Sequence, residues 1–144
     1  MINGKPATIS SFTGKYRFLS NFYWSTVYFG GIDYPTVEHA YQACKTNDDK
    51  LRMMIRNAST PGAAKGMGKR VKIRDGWDDI RVRVMKSLLD QKFRNPDLRA
   101  RLADTGRAEL IEGNRYGDIF WGVCSGVGEN MLGQLLMQVR REIK

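Results

Sequence analysis

Two adjacent apolar rows run along one stretch of this chain. Ile80, Val84 and Leu88 make the first; Met85, Leu89 and Phe93 make the second. A spacing of four within each row is helical, so residues 77–94 are predicted to form a long amphipathic helix. So wide a stripe must be buried, and the rest of the 144-residue chain has to supply the cover. The next helix is punctuated by its own chemistry. Asn95 is the N-cap, Pro96 takes the first helical position, Leu98 and Leu102 point inward, and Gly106 stops it. A last helix over residues 130–143 carries Leu132, Leu135, Leu136, Val139 and Ile143. Shorter helices are expected over residues 50–58, over residues 62–69 after Pro61, and from about Thr36, with Pro35 before it and Glu38 in its first turn. Methionines at helical spacing (Met53, Met54, Met85, Met131, Met137) read as core filler.

Extended structure is sparser. Thr26, Val27, Tyr28 and Phe29 favour a strand, Gly30-Gly31 is a turn pair, and Ile32-Asp33-Tyr34 resumes, so residues 25–34 read as a hairpin. Residues 108–112 and 118–122 read as short strands or extended pieces, and residues 17–24 as a loop. The expected class is α+β: one helix-rich domain spanning residues 1–144 around a small antiparallel sheet.

Composition narrows the partners. Hydrophobic residues at 42% and charged residues at 27% exclude wholesale disorder, collagen and coiled coil. No apolar run approaches the roughly 18 residues of a membrane helix. Met1-Ile2-Asn3-Gly4-Lys5 offers no apolar leader, and two cysteines make no disulfide framework, so a reducing cytoplasm is the expected location and no membrane partner is expected. With one histidine and two cysteines, no metal and no cofactor are expected. The 24 Lys and Arg against 15 Asp and Glu leave a net charge of +9. Such an excess attracts phosphates; it also serves plain solubility.

Three clusters carry candidate chemistry. Glu38, Gln42 and Lys45 fall at i, i+4 and i+7 and share one helix face. A surface salt-bridge face explains them; so does a cleft in which a carboxylate and an amine shift each other's proton affinity. The second cluster is Arg17-Phe18-Leu19-Ser20-Asn21-Phe22-Tyr23-Trp24, whose aromatics suit a core or base stacking and whose Ser20-Asn21 pair suits a core poorly. The third runs from Glu112 through Asp118, Trp121, Gly122, Gly126 and Gly128 to Asn130. Its glycines permit close backbone approach to a ligand ahead of the last helix, whose N–H groups would accept a phosphate. Lys65, Lys69, Arg70, Lys72 and Arg74 add positive charge around Gly66 and Gly68. His39 reads as a satisfied, partly buried residue, and neither cysteine has an activating neighbour.

In order, these pieces resemble the NADAR family. The resemblance rests on Ser20-Asn21-Phe22, Glu38-His39 with Gln42-Ala43 and Lys45, Met67-Gly68, Trp77, Met85 and Lys92-Phe93. It continues through Leu98, Leu102, Thr105, Leu110, Glu112, Asp118, Trp121-Gly122, Gly128, Asn130, Leu132-Gly133, Leu136-Met137 and Arg140. The chain departs from the family with Lys69 between Gly68 and Arg70, and with Val123-Cys124 after Trp121-Gly122, where relatives often place an acidic residue.

The resemblance implies a metal-free N-glycosidase that hydrolyses a bond between ribose C1 and a heterocycle's nitrogen. Two substrate classes come with it. One is ADP-ribose on the guanine amino group of nucleic acid, the lesion left by DarT-type toxins, which would make such a toxin the functional counterpart. The other is the phosphoribosylamino-pyrimidine intermediates of riboflavin synthesis. A silent ADP-ribose or nucleic-acid binding module is a third reading.

On that footing Glu38 is the expected acid/base or charge-stabilising carboxylate, with Glu112 and Asp118 supporting it. Lys45 would donate a proton or bind phosphate. Lys45 and Lys15 are the amines able to form a Schiff base with ring-opened ribose. Ser20, Asn21, Phe22, Gln42, Gly122, Gly128 and Asn130 are expected to bind substrate. Asn21 and Asn130 would do so through ribose hydroxyls or phosphate, Trp77 and Trp121 by stacking, and Lys69, Arg70 and Arg81 through phosphate.

Overall fold

The computed structural model describes residues 4–144. They fall into two compact units: one built from the chain's two ends, up to Ser20 and from Phe93 onward, the other from the continuous segment Asn21–Lys92.

The continuous unit is organised on α1 (Val37–Ala43), every residue of which is buried. Thr36 caps it, its hydroxyl accepting from the His39 N–H at 3.0 Å. The hairpin of β2 (Val27–Phe29) and β3 (Ile32–Tyr34) precedes it, antiparallel with Val27 opposite Tyr34. β2 would leave open backbone groups at its edge. Gln91 covers them: its side chain accepts from the Tyr28 N–H at 2.7 Å and donates to the Tyr28 carbonyl at 2.8 Å. Gln91 stands on α4 (Trp77–Lys92), whose Met85, Leu88 and Leu89 are buried, as the two apolar rows require. Against α1 also lie α2 (Asp49–Arg56), capped by Asp48, and α3 (Pro61–Gly68), capped by Thr60 with Pro61 opening the helix.

The other unit joins sequence-distant ends. β1 (Thr8–Ile9) pairs in parallel with β4 (Glu109–Leu110), and β5 (Gly113–Asn114) in parallel with β6 (Val123–Cys124). Lys5 and Asp104 form an ion pair at 3.0 Å across 99 positions of sequence. α5 (Pro96–Asp104) buries Leu98 and Leu102, and α6 (Met131–Arg141) buries Leu132, Leu135, Leu136 and Val139. Arg140 stitches the end of α6 to the segment after α5 by donating to Thr105 Oγ1 and the Ala108 carbonyl, each at 2.8 Å.

The α+β, helix-rich class is found as expected, with three differences of detail. In place of one antiparallel sheet there are three two-stranded pairings among the described residues, and only the hairpin is antiparallel. Residues 118–122 form no strand, because side chains take the backbone groups a ladder would use. Asp118 Oδ1 accepts from the N–H groups of Phe120 and Trp121, and Asn114 Nδ2 donates to the Asp118 carbonyl. The stretch before Ser20 is a 3-10 helix (Gly14–Leu19) that buries Phe18 and Leu19 instead of a loop. Met85 is core, but Met53 and Met54 are 39% and 55% exposed, because helical spacing fixes a face without saying what covers it. Among the described residues no helix is long and apolar enough to cross a membrane.

Candidate active site

The segment Asn21–Lys92 gathers Asn21, Glu38, Gln42 and Lys45 on and around α1. The Glu38 N–H donates to the Asn21 carbonyl at 3.1 Å, which ties the Ser20-Asn21-Phe22 motif to the first turn of the helix. One turn later, Gln42 Nε2 donates to Glu38 Oε1 at 2.9 Å. Both side chains are buried, at 7% and 4% exposure, so the shared face is not a solvated one. Two acceptors beside them, Asn21 Oδ1 and Gln42 Oε1, are buried without a hydrogen-bond partner. Gly68, at the end of α3, packs over Gln42 so tightly that a β-carbon there would collide with Gln42 Oε1.

Lys45 closes the face. It is half-buried, its Nζ 5.6 Å from the centre of the Tyr41 ring. Burial pushes its proton affinity below the ordinary lysine range. Lys65, Lys69 and Arg81 push it further down by repulsion, while the Glu38 carboxylate pulls it back up. An amine so placed gives up its proton more readily and can act as base or nucleophile.

Trp77 is 4% exposed and packs on Tyr41 with ring centres 5.2 Å apart, a wall of the core rather than an open stacking surface. Phe22 is half-buried. Arg81, also half-buried, lies 3.8 Å from Asp78. Lys69 and Arg70 are exposed just past α3.

His39 is fully buried rather than partly so. Its ring bonds Thr36 Oγ1 at 2.7 Å and the Ala58 carbonyl at 3.0 Å, and burial holds it neutral by lowering its proton affinity. The Cys44 thiol is pushed up to about 12 by burial, the opposite of an activated nucleophile.

The unit of the chain ends holds the remaining candidates. Here the structure replaces a ligand-binding expectation with a structural one. Asn130 spends its side chain on the protein: Oδ1 accepts from the Glu112 N–H and Nδ2 donates to the Leu110 carbonyl, each at 2.9 Å. It does so from a left-handed backbone, φ 53°. The N–H groups of Asn130, Met131 and Leu132 donate to the carbonyls of Gly122, Phe120 and Trp121, so the start of α6 is already satisfied by the preceding loop. Gly122 and Gly128 do permit close approach, but to backbone. A β-carbon on Gly122 would strike the Glu112 carbonyl, and one on Gly128 the Gly122 carbonyl.

Glu112 is half-buried and Asp118 turns the loop through its carboxylate. Trp121 is half-buried, edge-on to Phe120 with centres 4.9 Å apart. Lys15 is exposed over the Tyr16 ring, and Ser20 is half-buried where the 3-10 helix ends. Sequence reasoning missed Asn114, whose side chain takes carbonyls from three directions and sets this loop. The signal was an asparagine four residues ahead of an aspartate in a Gly-rich turn.

Among the described residues no cluster of three or more His, Cys, Asp or Glu could hold a metal ion.

Comparison with known proteins places this arrangement. The NADAR domain family matches residues 10–144. The chain is 38% identical over 137 residues to the N-glycosidase YbiA of Escherichia coli (strain K12), covering 92% of this chain and 85% of that protein. It is 37% identical to the Riboflavin biosynthesis protein VVA0006 of Vibrio vulnificus, covering 90% of this chain but 36% of that longer protein. The NMR structure of the E. coli protein YbiA superposes with a TM-score of 0.82 at 36% identity, over 94% of this chain and 84% of that one. On the family match and on these identities, the chain belongs to the NADAR family.

Proposed function

We propose that this protein is an N-glycosidase that removes ADP-ribose from the guanine amino group of nucleic acid, undoing the modification a DarT-type toxin leaves, in the cytoplasm. The reaction class is the one carried in the names of its N-glycosidase relatives. The observation that carries the site is the buried Glu38 carboxylate, held by Gln42 and coupled to an amine, Lys45, whose proton is loosened.

Breaking a ribosyl C–N bond leaves positive charge on the sugar. A carboxylate in a water-poor setting stabilises it, and the departing amine takes up a proton as water adds to C1. Glu38 fits the first task, and Lys45 can hold or deliver a proton. The unpartnered acceptors on Asn21 and Gln42 suit ribose hydroxyls. Lys65, Lys69 and Arg81, which lower Lys45's proton affinity, would be offset by a pyrophosphate. Glu112 and Asp118 remain the supporting carboxylates, and Lys15 the alternative amine.

The net charge of +9 favours a polyanion over a free metabolite. A second reading, hydrolysis of phosphoribosylamino-pyrimidines, is favoured by the relatives named riboflavin biosynthesis proteins. Incubation with both substrates, products read by mass spectrometry at several salt concentrations, separates the readings. Hydrolysis of the modified oligonucleotide should fall with salt, by a log–log slope of about −0.7 per phosphate contacted on a single strand. Release from the small substrate alone, with a flat salt response, overturns the first reading. Binding without product from either overturns both and leaves a silent binding module.

A further inference from the structure

One groove in the segment Asn21–Lys92 is not used by the chemistry above. It lies between α2 and the end of α3, has a volume of 220 Å³, and is lined by Leu51, Met54, Ile55, Met67, Arg70, Val71 and Lys72. Its floor is apolar: Ile55 is fully buried, and Leu51, Met67 and Val71 half-buried. Its lip is Met54, 55% exposed, and two exposed cations, Arg70 and Lys72. Among the described residues neither cationic side chain is engaged in an ion pair or a hydrogen bond.

A groove formed by thioethers and branched aliphatics, with cations only at its rim, matches a flat apolar ring attached to an anion. Methionine suits the broad face of an aromatic ring. A guanidinium and an ammonium at the edge meet phosphate. An acidic peptide would need more cations along the floor, and a lipid chain a deeper hole.

The groove is continuous with the candidate active site through α3. Gly68 packs on Gln42, which holds Glu38. Lys69 acts on Lys45. The residues on either side of this pair, Met67 and Arg70, line the groove. One short stretch of chain therefore has the carboxylate face on one side and the groove on the other, with cations between. A helix with its side chains is about 10–12 Å across. A pyrophosphate linking two nucleoside ends is of the right order to bridge it.

We propose that this groove holds the adenine end of an ADP-ribosyl group, with its phosphates at Arg70 and Lys72, while the distal ribose lies at Glu38. The proposal rests on the ADP-ribosyl reading of the site. It adds a consequence that the phosphoribosyl-pyrimidine reading does not share, because that substrate has no second base to fill the groove.

The test is methyl NMR on the full chain with isotope-labelled methionines, titrated separately with AMP, ADP-ribose and ribose 5-phosphate. A base stacked in the groove shifts the methyl resonances of Met54 and Met67 by its ring current. Ribose 5-phosphate, which lacks the base, leaves both in place. Met54→Glu, on the exposed lip, should weaken AMP binding by about tenfold or more, with circular dichroism unchanged.

Shifts of Met54 and Met67 with AMP and with ADP-ribose support the groove. ADP-ribose binding that leaves both methyls unmoved overturns it while leaving the ADP-ribosyl reading standing. Methyl shifts produced by an unmodified single-stranded oligonucleotide but not by AMP also overturn it, in favour of a neighbouring base of the strand. Failure to hydrolyse ADP-ribosylated oligonucleotide defeats the underlying reading on its own, and the AMP titration still decides the groove.

Discussion

Gly68 lies under the carboxamide of Gln42 with no room for a β-carbon. The glycine ending α3 therefore fixes where the Gln42 side chain sits, and Gln42 in turn holds Glu38 Oε1 at 2.9 Å. Gly68→Ala should lower stability by about 1–3 kcal/mol, the ordinary cost of overpacking a filled interior. It should also lower kcat, by displacing the partner of Glu38. In a Gln42→Ala background the same change should cost less, with a coupling energy of at least about 0.5 kcal/mol. Denaturant melts of the four proteins measure it, and strictly additive values would mean that the contact does not set the geometry.

Removing the Glu38 charge tests both its chemistry and its hold on Lys45. Glu38→Gln is expected to lower kcat by about a hundredfold or more. Because the carboxylate raises the proton affinity of Lys45 against burial and three cations, neutralising it should move the lysine's titration further down. The pH dependence of the Lys45 chemical shift after isotopic dimethylation reads this directly. An upward or absent change would show that the two groups are not coupled.

Lys45 also links pH to rate and to stability. Its folded-state affinity lies below the ordinary 10.5. Between the lowered value and 10.5 the unfolded chain carries a proton the folded chain lacks, so this group adds stability as pH rises through that window. If the neutral amine is the active form, kcat rises with pH to a plateau whose midpoint lies below 10.5. Lys45→Arg, charged throughout, should lose that limb, and an unchanged profile would assign it to another group.

His39 gives the opposite dependence. Burial keeps it neutral in the fold, whereas the unfolded histidine titrates near 6.5. As pH falls below that value the unfolded chain gains a proton first, so stability falls, with a slope of at most about 1.4 kcal/mol per pH unit from this residue. His39→Gln should be less stable at neutral pH, having lost bonds to Thr36 and Ala58, yet show a flatter decline toward acid. Thermal melts across the range compare the two slopes.

Asn130 is a clasp between β4 and α6. Asn130→Ala strands the Glu112 N–H and the Leu110 carbonyl, at about 1–3 kcal/mol each. An overall loss of about 2–4 kcal/mol follows. Asn130→Asp keeps the acceptor and loses the donor, and should fall between. A change in KM at full stability would instead give this side chain to substrate.

The long helices were legible because periodicity and caps are local. Two rows four residues apart specify α4, and Asn95-Pro96 specifies the start of α5 whatever surrounds them. The pairing of Glu38 with Gln42 follows from the same arithmetic. Gly68 was not readable in that role, because its contact comes from another helix. Two-residue strands have no period, and β1 finds β4 only at the far end of the chain. Asn130 ahead of a helix looks alike in sequence whether its amide faces a ligand or a carbonyl. The exposure of Met53 and Met54 was hidden for a related reason: helical spacing describes a face and is silent on what lies opposite.

The ion pair of Lys5 with Asp104 and the ladder of Thr8–Ile9 with Glu109–Leu110 bind the beginning of the polypeptide to a part synthesised much later. During translation, the first twenty residues must therefore wait, unpartnered, while Asn21–Lys92 emerges as an uninterrupted block able to collapse on its own local contacts. Birth order at the ribosome thus makes the carboxylate-bearing block the early folder and leaves the terminal block to be completed last.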